Sequence, residues 1–522
     1  MSPDSLARTL EDFLGGAADA VVVEDGVVTF DLAEARYSIS GEYNKCLLHV
    51  WSAERNIVRR VLEVEMKREA LRLQVQRLGQ SQPSRLEICR HREQSTPTAR
   101  RAIRVAYQRT LQRVLERRFG EYKIVELRTA LDLERSFGPA YTRGLLRRGQ
   151  SAFAVMGINA QETQASIDAA LTFGILWLDR CRENQAGHAT VEGLKLFVPA
   201  ACSAQVRERA ALLDQNAAKW HLYELDEKQD DLQEQDIADH GNRSTRLLQA
   251  PDERALQERF AEAIVYVHEL MPEVEVVVRS AAEIAFRHLG LEFSRARLAP
   301  APGSFRATSE IVFGIGAEER TLSDTNAEDF RHLVRSIGEV RHAEGPRDHP
   351  LWRMRSERWL ESLAARDIRA IDERLDASCL YSQVPAFSAA DRGVIDVLSV
   401  TREGRLAVVE LKADEDIHLP LQGLDYWSRV AWHHSLREFQ RFGYFPGREL
   451  AADPPLLFLV APALRIHPAI DTLLRYISPQ IEWTVAAVDE RWREGVRVVF
   501  RKRREHVLAS DRGGRVELQR SA

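Results

Sequence analysis

Two acidic residues and one lysine near residue 400 have types and a spacing that suit catalysis. Asp396, Glu410 and Lys412 lie in a segment that reads RGVIDVLSVTREGRLAVVELK. Its pattern predicts two strands, at residues 394–400 and 405–411, joined by a tight turn. Because side chains alternate along a strand, Glu410 and Lys412 should project from one face, and Asp396 should meet Glu410 across the pair.

This arrangement indicates a site for a divalent cation. Two carboxylates placed side by side repel each other, and partial burial increases that cost. A cation removes both penalties, and carboxylate oxygens with water in the remaining positions suit Mg²⁺, with Mn²⁺ as a substitute. Such an ion lowers the pKa of bound water and neutralises charge on a phosphoryl oxygen, while Lys412 would orient that water or stabilise the developing charge. Hydrolysis of a phosphodiester requires these parts.

The segment resembles the PD-(D/E)XK nuclease superfamily, whose members are restriction-endonuclease-like. The resemblance rests on Gly-x-x-Asp ending at Asp396 and on Glu-x-Lys ending at Lys412. Gln422 and Tyr426 lie one turn apart on a predicted helix that has Pro420 in its first turn, and they mirror the Q-x-x-x-Y pair of many members. Upstream, SERWLE opens another predicted helix, where such nucleases often carry a metal-site glutamate, here Glu357. The order of these elements is most similar to the NucS-like branch.

The resemblance covers residues 346–505 and implies a fold, an activity and a set of roles. The implied fold is an αβββαβ core with a central mixed sheet flanked by helices. The implied activity is that of a Mg²⁺-dependent endodeoxyribonuclease, although RNA and exonuclease action stay open. Asp396, Glu410 and Glu357 would be metal ligands, Lys412 the charged catalytic group, and Gln422 with Tyr426 would support the site or contact the nucleic-acid backbone.

Two departures from the family pattern are present. Ile395 replaces the proline that usually precedes the aspartate, and Glu361 shares a helix face with Glu357, so the identity of the upstream ligand stays open between them. A further Glu…Lys sequence, EGLK at residues 192–195, copies the signature superficially, but no aspartate precedes it one strand upstream, and we interpret it as a coincidence.

Two other hypotheses compete with a live nuclease. The first is a surface hairpin in which Glu410 and Lys412 form an exposed ion pair; it does not explain why both strands are otherwise apolar on both faces, as central strands are. The second is a catalytically silent nucleic-acid-binding or assembly protein that keeps the nuclease fold. Degenerate members usually lose the aspartate or the lysine, and both remain here.

Length and composition favour a multidomain α/β protein of mixed α+β type. A chain of 522 residues predicts several domains, and 73 basic against 78 acidic residues exclude a polycation without excluding local basic faces. Five cysteines lack zinc-site or disulfide spacing, which favours a reducing cytoplasm. No run of ~18 apolar residues occurs, so we expect a soluble protein with no membrane partner.

Composition and periodicity divide the chain into six predicted regions. They are a β-rich region at 1–80, a basic helical region at 81–150, an α/β domain at 151–300, a linker and connecting segment at 301–345, the nuclease-like domain at 346–510 and a polar tail at 511–522. Within the third region we predict strands at 152–158, 194–198, 220–225 and 274–278, and helices at 161–180, 204–213, 250–270 and 281–289. Residues 299–304 (APAPGS) are typical of a linker.

Arginines dominate residues 85–118, where ten of them face only three glutamates. The part at 98–119 has apolar residues at helical spacing and predicts an amphipathic basic helix, which is either a solvated surface helix or one that contacts phosphates. The candidate nucleic-acid contacts are Arg100, Arg101, Arg104, Arg143, Arg147 and Arg148. Residues 1–345 would bind the DNA, a protein partner or a small-molecule regulator, and cutting two strands with one site per chain would favour a homodimer.

Overall fold

The computed structural model describes residues 3–15, 20–24, 27–32, 35–40, 46–51, 56–67, 70–77, 83–89, 97–129, 137–185, 187–239, 245–300, 307–316, 319–387, 394–504 and 516–520. It contains helices and several sheets in two compact units. The first unit is Met1–Arg118 with Leu127–Thr142, and the second is Phe119–Glu126 with Arg143–Ala522.

The first unit contains an antiparallel seven-stranded sheet with a helix packed against it. Its elements are α1 (Pro3–Gly15), β1 (Val21–Glu24), β2 (Val27–Asp31), β3 (Arg36–Ser40), β4 (Cys46–Trp51), β5 (Asn56–Lys67), β6 (Ala70–Arg77) and β7 (Pro83–Cys89), in the sheet order β2-β1-β7-β6-β5-β4-β3. Alternate residues of β4 are buried in the core that α1 closes. The β-rich character predicted for this region is confirmed: β1 and β2 pair as a hairpin whose residues 25–26 lie outside the described ones, and β5 pairs with β6.

Helix α2 (Pro97–Arg118) confirms the predicted amphipathic basic helix. Tyr107, Leu111, Val114 and Leu115 are buried on one side of it, as their spacing predicts. The remainder of the region predicted to be basic and helical is not helical where it is described, because β7 precedes α2, and β8 (Lys123–Arg128) and β9 (Tyr141–Arg148) follow it.

In the second unit, strands alternate with helices as the sequence predicts. Strands β10 (Ser151–Ile158), β11 (Thr190–Pro199) and β12 (Lys219–Asp226) pair in parallel. With β13 (Asp231–Gln235), the sheet order is β13-β12-β11-β10-β9-β8. The helices are α3 (Gln164–Asp168), α4 (Ala170–Gln185) and α5 (Ala204–Ala210), so the long helix predicted at 161–180 is divided. The acidic stretch 224–239 contains β13, whose residues pair with β12.

The next part of this unit is an antiparallel five-stranded sheet with helices beside it. Its elements are α6 (Glu253–Arg259), α7 (Ala261–Leu270), β15 (Glu275–Ser280), β16 (Glu283–His288), β17 (Leu291–Pro300), β18 (Ala307–Phe313), β19 (Arg320–Thr321) and α8 (Ala327–Val340). The helix predicted at 281–289 is wrong, because Leu289 and Gly290 take positive φ and turn β16 back onto β17. Residues 299 and 300 of the predicted linker belong to β17 and pair with β18, and residues 301–306 lie outside the described ones.

An eight-stranded mixed sheet holds the candidate site. In the order of the sheet, its strands are β14 (Arg246–Leu247), β20 (Leu375–Phe387), β21 (Val394–Thr401), β22 (Leu406–Leu411), β23 (Leu456–Pro462), β24 (Trp483–Val488), β25 (Val498–Arg504) and β26 (Val516–Arg520). Strands β20–β22 pair antiparallel, whereas β22–β24 pair in parallel. The helices are α9 (Pro350–Arg353), α10 (Ser356–Arg366), α11 (Ile368–Ile371), α12 (Leu419–Ser435), α13 (Glu438–Arg441) and α14 (Ile470–Arg475).

Both strands that carry the candidate residues are central and apolar. Every residue of β22 is buried, and β21 is buried along most of its length. The buried core beside them includes side chains from α10, β21, β22 and β23. Within the described part of the chain, no helix has the length and apolar character needed to cross a membrane.

Candidate active site

Asp396 and Glu410 lie opposite each other on β21 and β22. The antiparallel register pairs Val397 with Val409, and the two carboxylates follow one residue beyond that pair on each strand. The Leu411 backbone N–H donates to Asp396 Oδ2 at 3.1 Å, which holds the aspartate against the end of β22. The Glu410 side chain is only 3% exposed. The turn and the two-residue periodicity of the strands therefore bring two carboxylates together in the interior.

Lys412 supplies the positive charge beside this pair. Its Nζ lies 3.2 Å from Glu410 Oε1 and 3.8 Å from Glu357 Oε1. Its backbone N–H donates to Val460 O, which continues the parallel pairing of β22 with β23. Burial acts to lower the pKa of Lys412, but the carboxylates of Glu410, Glu357 and Asp396 outweigh it and raise that pKa above its ordinary value. The lysine is therefore a cation.

Helix α10 brings its polar side chains to the same edge of the sheet. Arg358 Nη1 lies 2.6 Å from Glu361 Oε2 and 3.3 Å from Asp396 Oδ1, so one guanidinium joins the helix to β21. Gln383 of β20 also donates to Glu361 Oε2, at 2.8 Å. Glu357 is half exposed and contacts Lys412, whereas Glu361 is buried and contacts Arg358. Glu357 therefore borders the site on its exposed side, and Glu361 borders it from the interior.

Burial raises the pKa of every acidic side chain in this group. Desolvation is the largest cause for Glu410, whose pKa is raised well above its ordinary value, with the Asp396 carboxylate as the next cause. Desolvation also raises the pKa of Asp396 against the opposing effects of the Leu411 N–H, Arg358 and Lys412. The pKa of Glu361 rises to about 8, because its burial outweighs the nearby Arg358 guanidinium. The acids are therefore costly to ionise without more positive charge.

Gln422 and Tyr426 lie on α12, which packs on β22 and β23. Pro420 falls in the first turn of α12, as predicted. A Cβ on Gly423 would lie 2.6 Å from Leu459 Cδ2, so this glycine lets α12 approach β23 closely. Gln422 Oε1 is buried and accepts no hydrogen bond in the described structure. Between the two polar residues, Asp425 is held by the Arg209 guanidinium of α5 at 2.6 and 2.8 Å.

Arg341, at the end of α8, holds the start of α10 in place. Its side chain is fully buried and donates to the carbonyl oxygens of Leu289 and Met354, among others, at 2.7–3.2 Å. Gly290 is required beside it, because a Cβ at that position would lie 2.0 Å from Arg358 O. Ser362 and Arg366 on α10 also bond to Glu275 of β15. The five-stranded sheet therefore positions the helix that carries Glu357 and Arg358.

Sequence reasoning missed three contributors to the site. Arg358 stands inside the SERWLE pattern, but only the packing of α10 shows that it reaches Asp396. Gln383 adopts φ of +59°, which is uncommon for a residue other than glycine and aims its amide at Glu361. Arg341 lies far from the motif in sequence. No spacing rule connects these three residues to the strands, and no signal in the sequence assigned them to the site.

The predicted nucleic-acid contacts require one correction. Arg143 is 0% exposed, and its guanidinium lies 5.7 Å from the centre of the Trp177 ring, so it cannot reach a phosphate outside the protein. Arg148 is exposed and lies over Tyr122, and Arg147 donates to backbone oxygens of Gly149 and His188. On α2, Arg100 and Arg101 are exposed and Arg104 is half buried.

The donor chemistry of the site fits Mg²⁺ or Mn²⁺. Both ions prefer oxygen ligands, and Mg²⁺ often uses one or two carboxylates together with water. Asp396 and Glu410 supply adjoining carboxylates, and Glu410 Oε2 is buried without a hydrogen-bond partner. Over the described residues, no group of three or more His, Cys, Asp or Glu side chains is arranged to hold a metal ion. Glu357, the third ligand that the resemblance implies, contacts the Lys412 amine, which also contacts Glu410.

No family model, curated protein or solved structure matches this chain.

Proposed function

We propose that this protein is a metal-dependent nuclease that hydrolyses phosphodiester bonds of DNA and acts as an endonuclease. The observation that supports this proposal most directly is the position of Asp396 beside Glu410 on two central strands, with Lys412 Nζ 3.2 Å from Glu410. A strand pair needs no such group for its stability, because two adjoining buried carboxylates weaken it. A group of side chains that lowers stability and has no structural benefit is typical of a functional site.

Each residue has a role that its position allows. Asp396 and Glu410 would hold the Mg²⁺ through carboxylate oxygens, and the bound ion would supply an acidified water and neutralise phosphoryl charge. Lys412 stays protonated beside Glu410 and would stabilise negative charge that develops on the phosphate. Glu357 borders the same amine from the exposed side of the site. Gln422 and Tyr426 would support the site from α12 or contact the nucleic-acid backbone.

Incubation of the purified protein with nucleic acids tests the proposal. Supercoiled, linear duplex, single-stranded and branched DNA, together with RNA, are each incubated with Mg²⁺, Mn²⁺ or EDTA. We expect metal-dependent cleavage that includes circular DNA and disappears in Lys412→Ala. Lys219→Ala is the matched control, because Lys219 is exposed and paired with Glu192 on another sheet. Equal cleavage by wild type and Lys412→Ala would contradict the assignment.

A catalytically silent binding or assembly protein is the second candidate. Arg358 and Lys412 already place positive charge beside the carboxylates, and that observation favours a site that needs no metal. A silent protein should bind duplex DNA with an affinity that falls as salt rises, and should cleave no substrate in either Mg²⁺ or Mn²⁺. Cleavage by wild type that is lost in Asp396→Asn would exclude it.

A further inference from the structure

Arg358 is a cation in contact with Asp396, and it comes from a helix rather than from the sheet. Its Nη1 lies 3.3 Å from Asp396 Oδ1, while the backbone N–H of Leu411 donates to Asp396 Oδ2. Both oxygens of this carboxylate therefore face a donor supplied by the protein. The state of Glu410 is different, since Oε1 faces Lys412 and Oε2 is buried without a partner.

The two contacts of Arg358 are unequal. Nη1 is 2.6 Å from Glu361 Oε2, which is shorter by a clear margin than its 3.3 Å distance to Asp396. Glu361 is in turn held by Gln383 at 2.8 Å, and it lies on the same helix as Arg358. The guanidinium can therefore leave Asp396 while Glu361 keeps it anchored, because the longer hydrogen bond is the weaker of the two.

We propose that Arg358 is a built-in counter-cation of this site, which neutralises Asp396 in the metal-free protein and competes with a divalent ion for that carboxylate. This inference rests on the proposed function, since it needs Asp396 to be a metal ligand. Two cations that share one carboxylate repel each other. The Arg358 contact therefore weakens metal binding to Asp396, and a bound metal weakens the Arg358 contact by the same factor. Arg358 is therefore a positioning residue that raises the concentration of metal ion needed to fill the site.

Measurement of Mn²⁺ binding tests this inference without any substrate. Calorimetric titration of the full chain with Mn²⁺ should give a dissociation constant that falls about tenfold in Arg358→Met, because one repelling charge is removed. Arg358→Gln removes the charge with less change of shape and should tighten binding in the same direction. In EDTA, both variants should melt below the wild type, and Mn²⁺ should raise their melting temperatures by more than it raises that of the wild type.

Arg254→Met is the matched control, because Arg254 is exposed on α6 and pairs with Glu258 away from the site. Its Mn²⁺ affinity should equal that of the wild type. If Asp396→Asn abolishes Mn²⁺ binding while both Arg358 variants bind like the wild type, the inference is wrong and the proposed metal site stands. If Asp396→Asn leaves binding unchanged, or the wild type and the Arg358 variants all fail to bind Mn²⁺, the metal site fails and the inference fails with it.

Discussion

Two strands of this protein carry a glutamate followed closely by a lysine, and they use these residues in opposite ways. In β22, Glu410 and Lys412 are two positions apart, lie on one face and contact each other at 3.2 Å. In β11, Glu192 and Lys195 are three positions apart and have different partners. The same residue types therefore form one compact charged group in β22, whereas in β11 the glutamate and the lysine interact with separate partners.

The partners in β11 satisfy both residues with ordinary interactions. Glu192 pairs with Lys219 at 2.5 Å and also accepts from Ser151, and these hydrogen bonds lower its pKa. Lys195 is buried among aromatic rings, with its Nζ 4.6 Å from the centre of Phe119 and close to two further rings. Burial lowers the pKa of this lysine. Glu192 and Lys195 therefore have partners that do not involve a metal ion.

The difference lies in the neighbouring strand as much as in the spacing. β21 places Asp396 opposite Glu410, which adds a second carboxylate, whereas β10 places Ser151 beside Glu192. Hydrogen bonds from Lys219 and Ser151 lower the pKa of Glu192, while burial and a like charge raise the pKa of Glu410. A short Glu…Lys pattern therefore predicts chemistry only together with the strand that pairs with it.

The largest expected difference between the two strands concerns cleavage. Asp396→Asn removes one carboxylate of the proposed metal site, so metal-dependent cleavage should fall by about 10³-fold. Glu192→Gln in β11 should cleave like the wild type. Both rates are measured on the best substrate of the wild type, with folding checked by circular dichroism. An Asp396→Asn variant that keeps full activity would end the assignment of this site.

The two lysines should differ in both activity and stability. Lys412→Met should lose about 10²-fold in cleavage and about 1–3 kcal/mol in stability, because Glu410 stays buried without its cation. Lys195→Met should keep its activity and change stability by less than about 1 kcal/mol, since the lost cation–π contacts are offset by removal of a desolvated amine. Denaturant titration measures both. If the two substitutions destabilise the protein equally, then burial alone determines what each lysine contributes to stability, and the carboxylates beside Lys412 add nothing.

The central part of the site could be predicted from local sequence. Alternation along β21 and β22 placed Asp396 opposite Glu410, and Pro420 marked the first turn of α12. These features depend on the strand period and on helix-start chemistry, which act over a few residues. The strands around the motif were therefore visible without knowledge of the rest of the chain.

The surroundings of the site could not be predicted, because they depend on contacts distant in sequence. Arg358 reaches Asp396 only because Gly290 and Arg341 fix where α10 begins. Residues 281–289 contain good helix formers, yet the turn at Leu289 and Gly290 makes them a strand. Arg143 is basic in sequence but is buried in β9 beneath Trp177. Tertiary packing outweighs local propensity in each case.

The smallest expected difference is a pH dependence that separates Glu361 from Glu192. Burial raises the pKa of Glu361 to about 8, so its contribution to stability is present at low pH and is lost as pH rises from its ordinary value of 4.5 through 8. The melting temperature of Glu361→Gln minus that of the wild type should therefore increase between pH 5 and pH 8.5, by on the order of 2 °C.

Glu192→Gln should show no such trend over this range. The folded-state pKa of Glu192 is lowered, so the stability it contributes is present above its ordinary pKa and is lost only at more acidic pH. The difference between Glu192→Gln and the wild type should be constant from pH 5 to pH 8.5 in thermal melts with EDTA present. A parallel response of the two variants would mean that Glu361 is ionised at neutral pH, and that Arg358 neutralises it more fully than its burial indicates.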